Sequence, residues 1–460
     1  MATIAQIGTL LQTTFQHLTE EVATAIQYTK RPDTAKFSAS TLVQTLVWGW
    51  LAHPHASVEQ LAQSAQRVGV DVSPQAIDQR FTMATADLLR EVLVRSVRLV
   101  LAGDPLAIPI LRRFTGVYLQ DSTTIVLPDA LADVWRGCGG STTTNTTAAL
   151  KCGVQIDLLH TCLTGFDLAD GRAADQGLPI QHAVMPAGSL RLADLGFFDL
   201  QVFAQQQRSG SFWLSKVPVG VTVQHAGGFL IGFFGREATD RPRCDHTGSL
   251  LRFIQNLPVG QPWEGWVVLG KAHPLRGRML VQPVPQDVAD QRRRRIRKEA
   301  REKGRPPSRA ALLLAAWTIL VTNLPAHRVT MAEAMVLIKV RWQIELLFKH
   351  WKSHGQIDTW RTQKPARILC EVYGKLLAMV VQHWLVAVSG ASYPDRSLVK
   401  IAQAVRDQVS VLMDALPDGE RLARAIGTLQ RIVKRCARMN PRKTDPSTYQ
   451  LLLALTTDGK

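Results

Sequence analysis

Three carboxylates carry the most chemical promise. Asp121 closes the apolar run Val117-Tyr118-Leu119-Gln120, Asp194 ends another within Ser189 to Phe198, and Glu345 lies in Ile338 to Lys352, IKVRWQIELLFKHWK. An acid just beyond a buried strand is a place where a site can be built. Two such acids and a third on a late helix can converge as hard oxygen ligands for two Mg²⁺ ions. Paired ions activate the attacking oxygen and stabilise the leaving one in an in-line phosphodiester displacement. On a helix, Arg341, Glu345, Lys349 and Lys352 return to nearly one face. Arg341, Lys349 and Lys352 would bind backbone phosphates beside the metals, while Trp342, Leu346 and Phe348 supply apolar packing surface. Taken alone, these charges are equally an i,i+4 ion-pair ladder worth a few tenths of a kcal/mol. Asp121 and Asp194 tip the balance. Asp129, Asp133 and Asp157 compete for a metal role, but none ends a strand as plainly as Asp121; Asp167 and Asp170 flank a turn and read as caps or solvated acids, and Lys151 and Lys216 sit at strand boundaries facing the site, where phosphate contact is open and solvation is the commoner outcome.

These residues need elements to hold them. The first hundred residues have helical periodicity, ending near Gly103-Asp104-Pro105. Within them Ser57 to Gln66, a VGVDV link and Ser73 to Ala84 read as a helix-turn-helix. Its second helix exposes Gln75, Asp78, Gln79 and Arg80 toward base edges or phosphates; two packed surface helices are the plainer alternative. From Phe114 the texture turns to strands, with Lys151 to His160 and Cys162 to Leu168 completing a meander of the kind that begins many nuclease-like α/β folds. From Phe212 to Pro285, FWLSKV, FLIGFF, GWVVLGK and RMLVQPV alternate with Gly and Pro turns, predicting a separate β-rich insertion. Ala311 to Thr322 reads as one buried strand containing Trp317, and Met331 onward is mostly helical, with a basic amphipathic stretch from Arg421 to Arg438.

Charge identifies the partner class. Across 460 residues, 54 Lys plus Arg against 37 Asp plus Glu give a net +17, which points to a polyanion, nucleic acid first. The densest run, Arg292 to Arg309, has ten basic residues and two acidic ones, Glu299 and Glu302, in a helix predicted to break at Gly304. Within it Arg292, Arg293, Arg294, Arg295, Arg297 and Lys298 are better explained by phosphate neutralisation than by solvation. A hydrophobic content of 46% argues against wholesale disorder. The start of the chain lacks a signal-peptide pattern and the run from Ile368 to Val388, broken by Glu371 and Lys375, falls short of a membrane span. The expectation is therefore a cytoplasmic, nucleoid-associated protein without a membrane partner. The six cysteines show no C-x-x-C pair and are read as reduced, mostly core thiols.

Four stretches carry a family resemblance. Leu119-Gln120-Asp121-Ser122-Thr123, Ala193-Asp194-Leu195-Gly196-Phe197-Phe198, Val321-Thr322-Asn323-Leu324-Pro325, and Arg341 through Glu345 to Lys352 resemble, in order and spacing, the bacterial insertion-sequence DDE transposases of the insertion-sequence-four group. That group's signature, Tyr, two residues, Arg, three residues, Glu, six residues, Lys, fits at Arg341, Glu345 and Lys352; Ile338 replaces the tyrosine, which bears on one phosphate contact and leaves the metal ligands intact. The resemblance implies an α/β fold: an RNase H-like catalytic core interrupted by a β-rich insertion, with helical N- and C-terminal regions. The expected parts are residues 1–105, helical and DNA-binding; 106–210, first part of the core; 211–310, insertion with basic arm; 311–375, second part of the core; and 376–460, helical and suited to dimerisation. It implies Asp121, Asp194 and Glu345 as catalytic metal ligands for two Mg²⁺ ions, with Mn²⁺ able to substitute. It also implies double-stranded DNA, both transposon ends and target, as partner of a homodimer, cleavage through a DNA hairpin, and Trp317 as the holder of a flipped base, against the alternative of a core tryptophan. Two other readings stand beside it: a transposase-derived DNA-binding regulator, whose expected mark is a lost acid, and a metal-dependent nuclease that cuts without joining.

Overall fold

The computed structural model describes residues 4–28, 36–99, 106, 108–138, 147–225, 248–258, 260–390, 395–440 and 446–455. The expected boundary at Gly103-Asp104-Pro105, the FLIGFF stretch and Cys244 lie outside the described residues. The chain divides into two compact units: Met1–Arg112, Tyr118–Ile180 and Trp342–Lys460 form the first, Arg113–Val117 and Gln181–Arg341 the second.

In the first unit three strands form an antiparallel meander: β1 (Val117–Leu127), β2 (Ala148–Asp157) and β3 (Cys162–Asp170). β2 is the central strand and is buried at nine of its ten positions, as a strand covered on both faces must be. Asp121 does not close β1. The strand runs on through Ser122, Thr123 and Thr124 to Leu127, with Asp121 opposite Val154, because β-branched threonine sustains extended backbone despite its polarity.

The rest of this unit is helical and is organised around one helix, Pro365–Gly390. N-terminal helices Ala39–Ala52 and Met83–Ser96 and C-terminal helices Leu398–Asp407 and Gly419–Cys436 all pack on it. It is long and apolar enough to cross a membrane by length and composition, with a mean hydropathy of 1.3 over its richest window, correcting the expectation that it falls short, but 89% of that window is buried inside the protein. Glu371 and Lys375 do not interrupt its burial. They form an ion pair at 3.4 Å with side chains 4% and 1% exposed, and Lys375 Nζ also donates to the Thr359 carbonyl at 2.7 Å. Burial lowers the Lys375 pKa, against the opposing pull of Glu371. Gly374 belongs to the contact: a Cβ there would lie 2.3 Å from the Trp50 ring.

The helix-turn-helix is present only in its first half. Ser57 caps Val58–Arg67 in a capping box with Gln60, but the second helix spans only Pro74–Asp78 and Thr82 caps a new one at Met83. Cysteines divide: Cys152, Cys162 and Cys370 are buried, Cys138 and Cys436 exposed.

In the second unit the strands are β4 (Leu190–Ala193), β5 (Phe212–Lys216), β6 (Thr222–His225), β7 (Gly248–Ser249), β8 (Trp263–Leu269), β9 (Leu275–Pro283) and β10 (Trp317–Thr322). They are ordered β4-β5-β10-β9-β8-β6-β7. β4 and β5 are parallel, joined through helix Leu200–Arg208, and the other pairs are antiparallel. The sheet is thus mixed, and the fold is mixed α/β. Phe212–Lys216, expected to head a separate β-rich segment, is instead hydrogen-bonded between β4 and β10. Ala311 to Thr322 is not one strand either. Ser308 caps a helix, Arg309–Leu314, and β10 begins only at Trp317; Ala and Leu favour helix where no β-branched residue intervenes.

Candidate active site

β4 ends at Ala193, and its parallel register with β5 sets Ala193 beside Ser215. One residue further, Asp194 therefore stands next to Lys216. Lys216 Nζ lies 3.3 Å from Asp194 Oδ1, and Arg341 Nη2 lies 3.2 Å from Oδ2. The acid thus holds one cation on each oxygen. Arg341 is 8% exposed on its side chain, Asp194 31%. Burial pushes the Asp194 carboxyl up, but Lys216 and then Arg341 outweigh it and hold the group below the usual carboxylate range. Asp194 is ionised at neutral pH.

A clamp built from the Val321 to Pro325 segment fixes β5 against β10. Asn323 Oδ1 accepts from the Trp213 backbone N–H at 2.9 Å, and its Nδ2 donates to the Ser211 carbonyl at 3.0 Å. Thr322 Oγ1 donates to the Trp213 carbonyl and accepts from the Leu324 N–H. These bonds lock Thr322 opposite Leu214 and Leu320 opposite Lys216.

In the first unit, Asp121 is half-buried on β1, where its Oδ1 accepts from the Ser122 N–H at 2.8 Å. Ser122 Oγ donates to Asp175 at 2.6 Å, and Lys151 pairs with the same carboxylate at 3.0 Å. Helix Trp342–Ser353 carries half-buried Glu345 and exposed Lys349, and Lys352 Nζ donates to the Thr124 carbonyl of β1 at 2.9 Å. Its apolar face differs from the expected one: Ile344, Phe348 and Trp351 are buried, whereas Trp342 and Leu346 are 53% and 38% exposed. Ile338, at the position of the family's tyrosine, is 7% exposed in helix Met331–Val340.

The basic run forms helix Gln286–Glu302, ended at Lys303 before Gly304 with φ +60°. It has two kinds of arginine. Arg292 donates to the Trp317 carbonyl at 2.9 Å and to Thr318 Oγ1 at 3.1 Å, and Arg293 to the Leu312 carbonyl at 3.2 Å and Asp290 at 2.8 Å. Both fasten the helix to its own unit. Arg294, Arg295, Arg297 and Lys298 are exposed, Arg295 and Lys298 facing Glu299 and Glu302. Trp317 is half-buried at the start of β10, opposite Pro283. In the helical region Gln75 and Gln79 are exposed and Arg80 half-buried. Asp78, expected to face DNA, is paired with Arg367 at 2.8 Å and Lys364 at 3.1 Å.

The rival acids have structural work. Asp157 accepts from the Leu159 N–H, Asp167 from the Ile180 N–H and Asp170 from the Arg136 N–H. Lys216 is the residue underrated in the sequence; only the strand register reveals that it adjoins Asp194.

Residues 112–381, more than half of the chain, match the transposase DDE domain family. The chain belongs to that family. The transposase for insertion sequence element IS231B of Bacillus thuringiensis subsp. berliner is 28% identical over 378 residues, covering 80% of this chain and 77% of the relative. The transposase for insertion sequence element IS1151 of Clostridium perfringens is 23% identical, covering 73% and 71%. Among solved structures, a piggyBac transposase synaptic complex with hairpin DNA aligns with a TM-score of 0.46 at 9% identity, covering 97% of this chain and 87% of that one.

For a DDE transposase domain the metal question turns on donor chemistry. Asp121, Asp194 and Glu345 offer hard carboxylate oxygens, the type Mg²⁺ takes. Among the described residues no three His, Cys, Asp or Glu side chains stand together as a metal cluster, and Asp194 carries Lys216 and Arg341 on its oxygens. The donors fit a divalent ion by type, and the two cations keep Asp194 in the deprotonated state a metal ligand requires.

Proposed function

We propose that this chain is a cut-and-paste DNA transposase of the insertion-sequence-four group, with Asp121, Asp194 and Glu345 as its catalytic carboxylates. The observation that carries this reading is Asp194, ionised between Lys216 and Arg341 at the end of β4. Arg341 is the arginine of the signature segment, and its contact with the second acid ties two of the matching motifs together. The Lys352 bond to Thr124 supports the third. Glu345 lies seven residues back from Lys352, about 10.5 Å of helix, and Asp121 three residues back from Thr124, about 10 Å of strand. These equal spans are what a helix running along β1 in the same sense would need to set Glu345 level with Asp121.

The strand orders β3-β2-β1, antiparallel, and β4-β5, parallel, support an RNase H-like core, with the stretch between β5 and β10 as its insertion, residues 1–105 as an end-binding region and residues 376–460 as a dimerisation region. Two Mg²⁺ ions, when bound by the three carboxylates, supply activation of the attacking oxygen and stabilisation of the leaving one. Lys216 and Arg341 hold Asp194 charged and in place. Exposed Arg294, Arg297 and Lys349 bind phosphate and position the duplex. The freed 3′-hydroxyl at each element end attacks a phosphodiester of the opposite strand, closing a hairpin as the flanking DNA leaves with a 3′-hydroxyl; water reopens the hairpin, and the regenerated 3′-hydroxyl attacks a target phosphodiester, expelling a target 3′-hydroxyl, with a homodimer holding both ends.

The test incubates the purified chain with duplexes bearing the terminal inverted repeats of its own element, with Mg²⁺ or with chelator, beside Glu345→Gln. Metal-dependent nicks followed by a hairpin-length species on a denaturing gel, absent in the variant, are expected. Tight binding of the ends without cleavage under Mg²⁺ or Mn²⁺ would overturn the reading in favour of a regulator.

A further inference from the structure

Helix Gly419–Cys436 packs its apolar side on helices Ile4–Gln12 and Pro365–Gly390. Leu422, Ile426, Leu429 and Val433 are fully buried. Its other side is basic: Arg421, Arg424, Arg431, Lys434 and Arg435 are all exposed. At 100° per residue the buried residues fall within an arc of about 100° and the five cations within about 140° centred on the opposite side. The stripe runs about 21 Å from Arg421 to Arg435, a cation every ~5 Å on average. Arg438 continues it one turn on, near Asp395 at 3.6 Å. Along the helix itself the acid is Glu420, 3.8 Å from Arg424 and 90% exposed.

We propose that this stripe is a second DNA-backbone surface, separate from the Arg294 and Arg297 arm, binding duplex phosphates without regard to sequence. This rests on the chain acting on DNA. Four of its five cations are arginines, whose planar fork matches phosphate oxygens, and duplex DNA offers one phosphate charge per ~1.7 Å of axis to meet them. An anionic membrane fits less well, because an interfacial helix inserts its apolar face, and here that face is consumed by the protein core. As an ion-pair ladder the helix fails too, since its five cations from Arg421 to Arg435 have one acid on the helix, Glu420, and one at its N-cap, Asp418.

The test is a fluorescence-anisotropy titration of the full chain with a labelled duplex of arbitrary sequence, repeated between about 50 and 200 mM salt. The variants are Arg421→Gln, Arg424→Gln, Arg431→Gln and Arg435→Gln combined, and Arg294→Gln with Arg297→Gln. Each lost phosphate contact lowers the slope of log K on log salt by about 0.9, so the fourfold variant is expected to lose about 3.6 and the matching four Arg→Lys changes almost nothing. Should the fourfold variant fail to fold, Arg431→Gln with Arg435→Gln is expected to lose about 1.8. An unchanged slope in the stripe variants, while the Arg294 and Arg297 variant loses slope, overturns this surface and leaves the transposase reading standing. An unchanged slope with lost binding to phosphatidylserine vesicles assigns the stripe to lipid and overturns it equally. Absence of any duplex binding by the unaltered chain overturns both.

Discussion

Replacing Asn323 by alanine removes both ends of a clamp on β5. The amide accepts from the Trp213 N–H and donates to the Ser211 carbonyl, and Trp213 and Ser211 are 0% and 1% exposed. Neither stranded backbone group can recruit bulk water without local opening. Each costs about 1–3 kcal/mol when left unsatisfied, so opening of this strand should become easier by about 2–6 kcal/mol. At 1.4 kcal/mol per factor of ten, amide hydrogen exchange across Phe212–Lys216 should accelerate roughly 30-fold to 20,000-fold. Mass-spectrometric exchange on the intact chain reads this directly, peptide by peptide, and does not require the whole protein to unfold in one step. Peptides of β2 serve as the internal reference and should be unaffected. Acceleration of less than about threefold in β5 would show that the clamp does not hold the strand that positions Lys216.

Two glycines should respond with opposite signs. Gly374→Ala drives a Cβ into the Trp50 ring and should lower stability in denaturant by about 1–2 kcal/mol after the better helix propensity of alanine is counted. Gly427→Ala meets only Ile4 at 3.6 Å and should raise it by up to about 1 kcal/mol. Asp194 makes stability depend on acid. Its folded pKa lies below the unfolded value of 3.8, so its contribution is complete above about pH 4 and falls away as pH drops through the folded pKa; an acid titration of stability should flatten in Asp194→Asn. Arg292→Gln should lower the melting temperature and leave the salt slope of DNA binding unchanged, whereas Arg294→Gln should leave melting unchanged and reduce that slope by about 0.9.

The sequence announced Asp194 better than Asp121, and the reason is local. Four buried residues stop at Ala193, so the end of β4 is written in its hydrophobicity, whereas the polar, half-buried Ser122, Thr123 and Thr124 after Asp121 hide six further residues of strand. The apolar stretch from Ala311 was ambiguous because buried strand and buried helix share the same hydrophobicity over so few residues. The shortness of the second helix is legible in Thr82, a capping residue that starts a new helix at Met83. Arg341 was harder. A cation in a signature helix suggests phosphate, and its carboxylate partner is set by tertiary packing that no periodicity encodes. The same holds for Arg292 and Arg293, which read as members of a uniform charge run but differ from Arg294 by facing carbonyls of Leu312 to Trp317.

The charged pair buried in helix Pro365–Gly390 also matters for the unfolded chain. A nascent chain presenting this segment offers the insertion machinery a stretch that meets the length and apolarity of a membrane span. Glu371 and Lys375 lie seventh and eleventh among its 26 residues, and a charge near the centre of a spanning helix adds about 2.5–3.5 kcal/mol to the cost of partitioning into lipid. In the finished protein the two charges neutralise each other inside the core. Unpaired in an unfolded chain, they raise the cost of placing the segment in lipid, so the pair that is neutralised in the core also disfavours the helix as a membrane span.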